Sequence, residues 1–372
     1  MAGVASAKAT DWRRWLRYAF VVLTLILIVG SFLPLWQTDE WWVREWDYPR
    51  LQIAGLLLLC GTLLLSLNWR WSRGESALGA GMLAALVWQG THFVEYLPIW
   101  PRQVATAKNC PADKRLTLLN SNVLMDNRQF DRQLAMVRAQ KADVVLLLEV
   151  GPEWRDHLRA LYPDYPYRIA EPAPTTYGMM LLSRLPMRAV VRHRLQAGVP
   201  SIDAQLRMRD GSIVDLKALH PEPPWPGDDS GERDAELVQA GKEVRASGRA
   251  SVVLGDLNDV AWSHSSRLFR EVGGMNDPRV GRGLYPTFTA KYPVLRWPLD
   301  HMFVTPHWTL VDVTRPGATG SDHFPIRYTF CLEKPAAQRL LSAALPKGVV
   351  AEAHGQQRDG LQENARENRG EE

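Results

Sequence analysis

Cysteine is scarce in this chain, three residues in 372, and none of the three lies close to another. A thiolate zinc site needs several sulfur ligands at short spacing, so the scarcity argues against one. Charge of one sign is equally scarce as an excess. The 44 basic and 40 acidic residues leave a net +4, too little to argue for a nucleic-acid partner, because Lys and Arg beside membrane spans raise the balance as well. A signal-peptidase site is also missing. The first apolar run is followed by Pro34, Leu35, Trp36 and Gln37, not by a small-x-small motif, and so reads as an uncleaved anchor.

Tryptophan, by contrast, is abundant and unevenly placed. Ten of the 15 fall in the first hundred residues, where indole rings suit the headgroup level of a bilayer. The same region holds three apolar runs, and about 20 apolar residues cross a bilayer. The expected spans are 18–36, 51–69 and 77–100, within an N-terminal membrane domain of residues 1–104. The third is the weakest, with Gln89, His92 and Glu95 in its second half, where an interfacial role is favoured over a proton relay. Lys8, Arg13, Arg14 and Arg17 keep the N-terminus cytoplasmic, Arg70 and Arg73 mark the second inner loop, and residues after Trp100 are delivered outside. An oxidising compartment would allow Cys110, ahead of the first soluble strand, to pair with Cys331, at the end of the last; two unpaired thiols are the equal alternative.

From Arg115 to Leu332 short apolar runs alternate with helical stretches, which predicts packed sheets with helices outside. Strands are expected at Leu116–Leu119, Asp143–Glu149, Met179–Leu182, Ile213–Ala218, Ser251–Leu254, His301–Val304 and Ile326–Phe330. Helices are expected at Phe130–Gln140 and Arg233–Ala246. Residues 333–372 lose apolar periodicity and read as a solvated, disordered tail, with a short helix over Leu340–Leu345 the exception.

Polar residues gather at the strand ends: Asn122, Glu149, His220, Asp256 with Asn258, Asp300, and Asp322 with His323. Each alone reads as a cap, an Asx turn or a surface imidazole. Their repetition at strand termini is what a site on a rigid scaffold requires. His301 adjoins Asp300 on a strand, so it points the opposite way and is left out. The loop Pro221–Glu232, with Trp225 between prolines and Asp228 and Asp229 after it, is a candidate specificity element or an ordinary proline-stiffened loop.

These segments resemble the endonuclease/exonuclease/phosphatase superfamily, the DNase I-like fold. The resemblance rests on Leu119-Asn120-Ser121-Asn122, Ala142 through Val150 with Glu149, Ser183-Arg184-Leu185-Pro186, His220-Pro221, Gly255-Asp256-Leu257-Asn258-Asp259, Pro298-Leu299-Asp300-His301 and Ser321-Asp322-His323-Phe324-Pro325. It covers roughly residues 115–332 and extends, more loosely, to bacterial membrane-anchored members. It implies an α/β fold, a four-layer α/β sandwich here preceded by three transmembrane helices, and hydrolysis of phosphate esters with Mg²⁺, or Mn²⁺ in some members. By position, Glu149 would be the principal metal ligand with Asn122 and Asp322 beside it. Asp256 and Asn258 would position or deprotonate water, Asp300 would orient His323, and His220 would donate to a phosphate oxygen or leaving group.

The expected protein is thus a membrane-anchored phosphoesterase of the bacterial inner membrane, with an extracytoplasmic catalytic domain and the lipid bilayer as partner. A nuclease-type substrate is slightly favoured; a phospholipid phosphodiesterase and a non-catalytic membrane sensor are the alternatives.

Overall fold

The computed structural model describes residues 2–67, 72–196, 198–224, 226, 229–333, 344–367 and 369. The chain divides into two compact units, Met1–Glu95 and Tyr96–Glu372. The division falls ahead of the boundary expected at 104, because Tyr96 and Val104 are buried within the second unit.

In the first unit, α1 (Ala2–Phe32), α2 (Trp41–Arg44), α3 (Arg50–Ser66) and α4 (Arg73–Phe93) are the helices. Two stretches, Trp12–Leu35 and Arg73–Tyr96, are long and apolar enough to cross a membrane; a third span requires Trp41–Asp47 and Arg50–Ser66, bent by 71°, to count as one. The expected second span is therefore shorter than 51–69, and the end assigned to Asn68 and Trp69 lies outside the described residues. A capping box starts α4: the Ser72 hydroxyl accepts from the Glu75 amide, and the Glu75 side chain accepts from the Ser72 amide. Leu27, Leu57, Leu64 and Met82 pack between the helices. A buried polar chain runs beside them. Arg50 pairs with Asp47 at 2.6 Å and donates to Gln89 Oε1 at 3.2 Å, and Gln89 donates to Ser31 Oγ at 3.0 Å. That chain links α1, α3 and α4 and satisfies groups that would be costly if left unpaired in an apolar setting.

The second unit has two sheets. The first orders β10 (Trp308–Thr314), β11 (Ile326–Leu332), β1 (Arg115–Asn122), β2 (Val144–Leu148), β4 (Met179–Ser183) and β3 (Tyr167–Glu171); the second orders β5 (Met187–Arg192), β6 (Ser201–Arg207), β7 (Ile213–Leu219), β8 (Ser251–Asp256) and β9 (Asp300–Val304). Strand β2 shows why the sequence folds this way. Its five Val and Leu residues are all buried, alternate faces meeting different cores, as a central strand covered on both sides demands. Leu146 and Leu148 face the core between the sheets with Leu118, Leu216 and Leu254. Val145 and Leu147 face outward under α5 (Phe130–Gln140) and α6 (Pro152–Leu158), packing with Val137, Trp154 and Leu158. On the far side, Val253 and Phe303 pack with Leu237 and Val244 of α7 (Gly231–Ser247) and Phe269 of α8 (His264–Gly273). The result is helix, sheet, sheet, helix, the four-layer α/β arrangement. Replacing one such buried Leu by Ala costs about 2–5 kcal/mol.

Strands β3, β5, β6 and β10 and helices α6 and α8 are additional to those read from sequence. Sulfurs of Cys110 and Cys331 are joined as a disulfide, next to the Arg115–Cys331 register of β1 and β11. The expectation of a disordered tail is corrected: α9 (Lys347–Glu367) packs on α7 and α8, with Ala353 buried against Val238, Leu268 and Val272. Its polar composition hid a short apolar contact face. The expected Leu340–Leu345 helix falls mainly on residues 334–343, and Trp225 and Asp228 of the expected specificity loop also lie outside the described residues.

Candidate active site

Strands β1, β2, β7, β8 and β9 bring their polar ends together. Asn122 ends β1, and Glu149 follows β2 at a φ of 59°, a left-handed conformation that a non-glycine residue adopts at some cost. The Asn122 amide donates to Glu149 Oε1 at 2.7 Å and lies 3.4 Å from Asp256 Oδ2, while the Met125 amide donates to Glu149 Oε2 at 3.2 Å. The side-chain oxygen of Asn122 accepts from the Leu124 amide at 3.0 Å. Each Glu149 oxygen thus has one donor and retains lone-pair capacity toward solvent.

Asp256 ends β8 immediately after Gly255, at φ 148°. A Cβ at Gly255 would stand 1.8 Å from the Leu219 carbonyl oxygen, so only glycine lets β8 run this close to the end of β7, where His220 follows. The buried Asp256 accepts from the Asn258 amide at 3.1 Å, and the Asn258 side chain donates to the Pro221 carbonyl at 2.8 Å, tying the β8 loop to the His220 segment. Buried His220 lies against the Tyr177 ring, 5.9 Å between centroids, with its Nδ1 unpartnered among the described residues.

His323 sits between two buried carboxylates. Its Nδ1 is 2.8 Å from Asp300 Oδ2 and its Nε2 3.4 Å from Asp256 Oδ2. Burial disfavours the imidazolium, but Asp300 and Asp256 outweigh it and push the His323 pKa up to about 10. Burial pushes the Asp256 carboxyl up, yet His323, His220, the Asn258 amide and Asn122 hold it below the usual carboxylate range. Asp322 contributes a further negative charge near His323, while its backbone carbonyl accepts from the Ala290 amide at 2.6 Å.

The structure thereby gathers Asn122, Glu149, Asp256, Asp300 and His323 through direct contacts, with Asn258, His220 and Asp322 attached at the edges. Among the described residues, Asp256, Asp300 and His323 form a group whose ligand atoms lie within 4.8 Å of one another, close enough to hold a metal. Inside that group the His323 Nδ1 is hydrogen-bonded to Asp300, while its Nε2 makes only a longer ion-pair contact, 3.4 Å, with Asp256. Glu149, less buried and with spare oxygen lone pairs, offers a further hard oxygen ligand beside that group.

Several supporting residues were given no role from the sequence. Asn120 donates to Asp300 Oδ1 at 2.9 Å from the opposite sheet. A signal for it existed, since Asn120 and Asn122 share one face of β1 at period two. Thr287 Oγ1 accepts from the Asp300 amide at 3.1 Å, and the Phe288 ring lies 4.9 Å from that of His323. His301 points away from the cluster, as the strand alternation requires. Its Nδ1 accepts from Arg279 at 2.6 Å, which leaves Nε2–H to donate to the Asp259 carbonyl at 2.8 Å. Burial and the Arg279 charge depress the His301 pKa to about 3, so the ring is neutral there.

The chain is similar in fold to several solved structures. An endonuclease/exonuclease/phosphatase from Beutenbergia cavernae is 19% identical, with 59% of this chain and 72% of that chain covered and a TM-score of 0.45. D. rerio TDP2 complexed with single-strand DNA product is also 19% identical, over 58% of this chain and 98% of that one, with a TM-score of 0.46. The human Nocturnin catalytic domain with bound sulfate is 15% identical, over 61% of this chain and all of that one (100%), with a TM-score of 0.47. No curated protein sequence matches the chain. The family model described as Endonuclease/Exonuclease/phosphatase matches residues 119–323, more than half of the sequence and the full run from Leu119 to His323. The chain therefore belongs to the endonuclease/exonuclease/phosphatase family, whose members are divalent-metal-dependent hydrolases of phosphate esters.

Proposed function

We propose that this protein is a membrane-anchored phosphoesterase that uses a hard divalent cation, Mg²⁺ first, to hydrolyse a phosphodiester by attack of water. The observation that carries the reading is His323 held between the buried carboxylates of Asp256 and Asp300, beside the Asn122–Glu149 pair. Glu149 and Asp322 would hold the cation, with Asn122 orienting Glu149 through its amide. Such a cation, when bound, neutralises phosphate oxygens that otherwise repel a nucleophile. Asp256 is held ionised, which suits a base that orients water and takes its proton as the new P–O bond forms, with Asn258 fixing the loop. His323, protonated and pinned by Asp300, contacts a phosphate oxygen. As the ester P–O bond breaks, an imidazole of this site, His323 or His220, returns a proton to the leaving oxygen.

The anchor reading rests on the candidate spans Trp12–Leu35 and Arg73–Tyr96. The basic flank Arg13, Arg14 and Arg17, with Arg73 at the next inner loop, supports an extracytoplasmic catalytic domain, and a Cys110–Cys331 disulfide fits that compartment.

The test is hydrolysis of bis-p-nitrophenyl phosphate, plasmid DNA, RNA and phospholipid by the detergent-solubilised full chain, with and without Mg²⁺. Activity lost in Glu149→Ala and His323→Ala, with circular dichroism unchanged, is the expected result. A wild-type protein inert toward every ester in Mg²⁺ and Mn²⁺ would return the fold to a binding or scaffold role.

A further inference from the structure

The loop between Thr287 and Trp297 joins the site to an exposed apolar surface. At its base it is fastened to the Asp322–His323 segment. The Phe324 amide donates to the Thr287 carbonyl at 2.8 Å, the Ala290 amide to the Asp322 carbonyl at 2.6 Å, and the Phe288 ring touches the His323 ring. Within the loop, Phe288 bridges Trp297, and the Thr289 hydroxyl accepts from the amides of Lys291 and Tyr292, both at 3.1 Å. Its tip is nevertheless turned to solvent: Tyr292 is 61% exposed, Val294 79% and Leu295 45%. Lys291 is exposed beside them, and Arg296 lies over the Phe324 ring, 4.9 Å from its centroid.

We propose that this tip, Tyr292–Leu295, docks into the surface of a lipid bilayer, and that the ester hydrolysed beside it is a phospholipid headgroup. The proposal rests on the phosphoesterase reading above and adds its substrate class. Three features favour a bilayer. Exposed aliphatic side chains are removed from water by acyl chains, whereas single-stranded nucleic acid is held by runs of aromatic platforms; of the exposed apolar tip only Tyr292 offers one, and Val294, its most exposed side chain, and Leu295 cannot stack on bases. A basic residue flanking an apolar tip, here Lys291, suits an anionic headgroup layer. The chain also holds stretches long and apolar enough to span a membrane, so a bilayer is the surface always within reach. The loop's attachment to His323 then places a docked tip and the site's imidazole on one rigid segment.

The experiment uses the full chain reconstituted in mixed phosphatidylcholine–phosphatidylglycerol vesicles, comparing wild type with Val294→Asp/Leu295→Asp. The ratio of phosphatidylglycerol hydrolysis to bis-p-nitrophenyl phosphate hydrolysis is expected to fall about tenfold in the variant, through loss of apolar insertion. An unchanged ratio overturns docking. Wild-type turnover of bis-p-nitrophenyl phosphate without turnover of phospholipid overturns the substrate class alone, leaving the phosphoesterase reading intact. Turnover of neither overturns that reading and the substrate class with it. DNA cleavage that depends on the tip would make it a nucleic-acid wedge. Independently, Tyr292→Trp in the same vesicles should add a component of emission quenched by brominated acyl chains beyond the quenching of the fifteen native tryptophans in wild type; no added quenching counts against insertion.

Discussion

Nδ1 of His323 lies 2.8 Å from Oδ2 of Asp300, and the other oxygen of Asp300 accepts from Asn120 of the facing sheet. One buried carboxylate therefore orients the imidazole and is itself oriented from across the core. Asp300→Asn keeps the shape but removes the charge that favours the imidazolium. It is expected to lower kcat by about a hundredfold or more and to move the protonation of His323 toward lower pH. A pH–rate profile of the variant on bis-p-nitrophenyl phosphate checks both effects. An unchanged profile would remove Asp300 from the site.

Cation binding at Glu149 should be visible without turnover. Mg²⁺ at a hundredfold above its Kd adds about 2.7 kcal/mol to the stability of a protein that binds it only when folded. Wild type should therefore melt several degrees higher in saturating Mg²⁺ than in chelator, and Glu149→Gln should lose that shift. A variant that keeps the full shift would put the cation elsewhere, with Asp256, Asp300 and His323 as the next group to examine.

Glu236 of α7 makes the second unit sensitive to pH away from the site. It is buried, 3% exposed, and its Oε1 has no hydrogen-bond partner among the described residues. Burial pushes its pKa from 4.5 up to about 7, with nearby Arg194 acting the other way. Between those values the folded state keeps a proton that the unfolded state releases. Stability is thus fully present below pH 4.5 and falls as pH rises through about 7. Glu236→Gln removes this dependence. Relative to wild type, it should gain on the order of 3 kcal/mol more at pH 8 than at pH 4, read from urea unfolding at the two pH values. Parallel pH dependence in the two proteins would contradict the assignment.

The tail helix is expected to matter for stability. Ala353 is 1% exposed, packed against Val238, Leu268 and Val272. Ala353→Asp would bury a charge without a partner or undock α9, costing about 2–4 kcal/mol. Limited proteolysis should then cut the tail of the variant at protease levels that leave wild type whole. Equal resistance would mean that α9 is dispensable to the fold.

The family and the residues that gather at the candidate site were legible because both are written locally. A buried strand such as Val144–Leu148 announces itself by five consecutive apolar residues, and Glu149, Asp256 and His323 stand directly at strand ends within short motifs. The edge strands β3, β5 and β10 were harder to read, because β3 and β5 have no fully buried position and β10 only its first three, so the continuous apolar run that marks a central strand is missing. The tail shows the same limit: α9 is largely polar, and its few buried positions gain meaning only against α7 and α8.

By itself the sequence determined the family, the strand ends at which the polar residues stand and two of the stretches that can cross a membrane, since residue type and periodicity decide those matters over a few neighbours. Only the tertiary structure decided how they combine. Asn120 and Asp300 meet across a separation of 180 residues, Arg279 is the partner that the outward-facing His301 finds, and the Thr287–Trp297 loop is fastened to the site. Those contacts depend on two sheets closing face to face, a long-range event driven by burial of their common apolar core, and no local pattern encodes which polar ends that closure brings together.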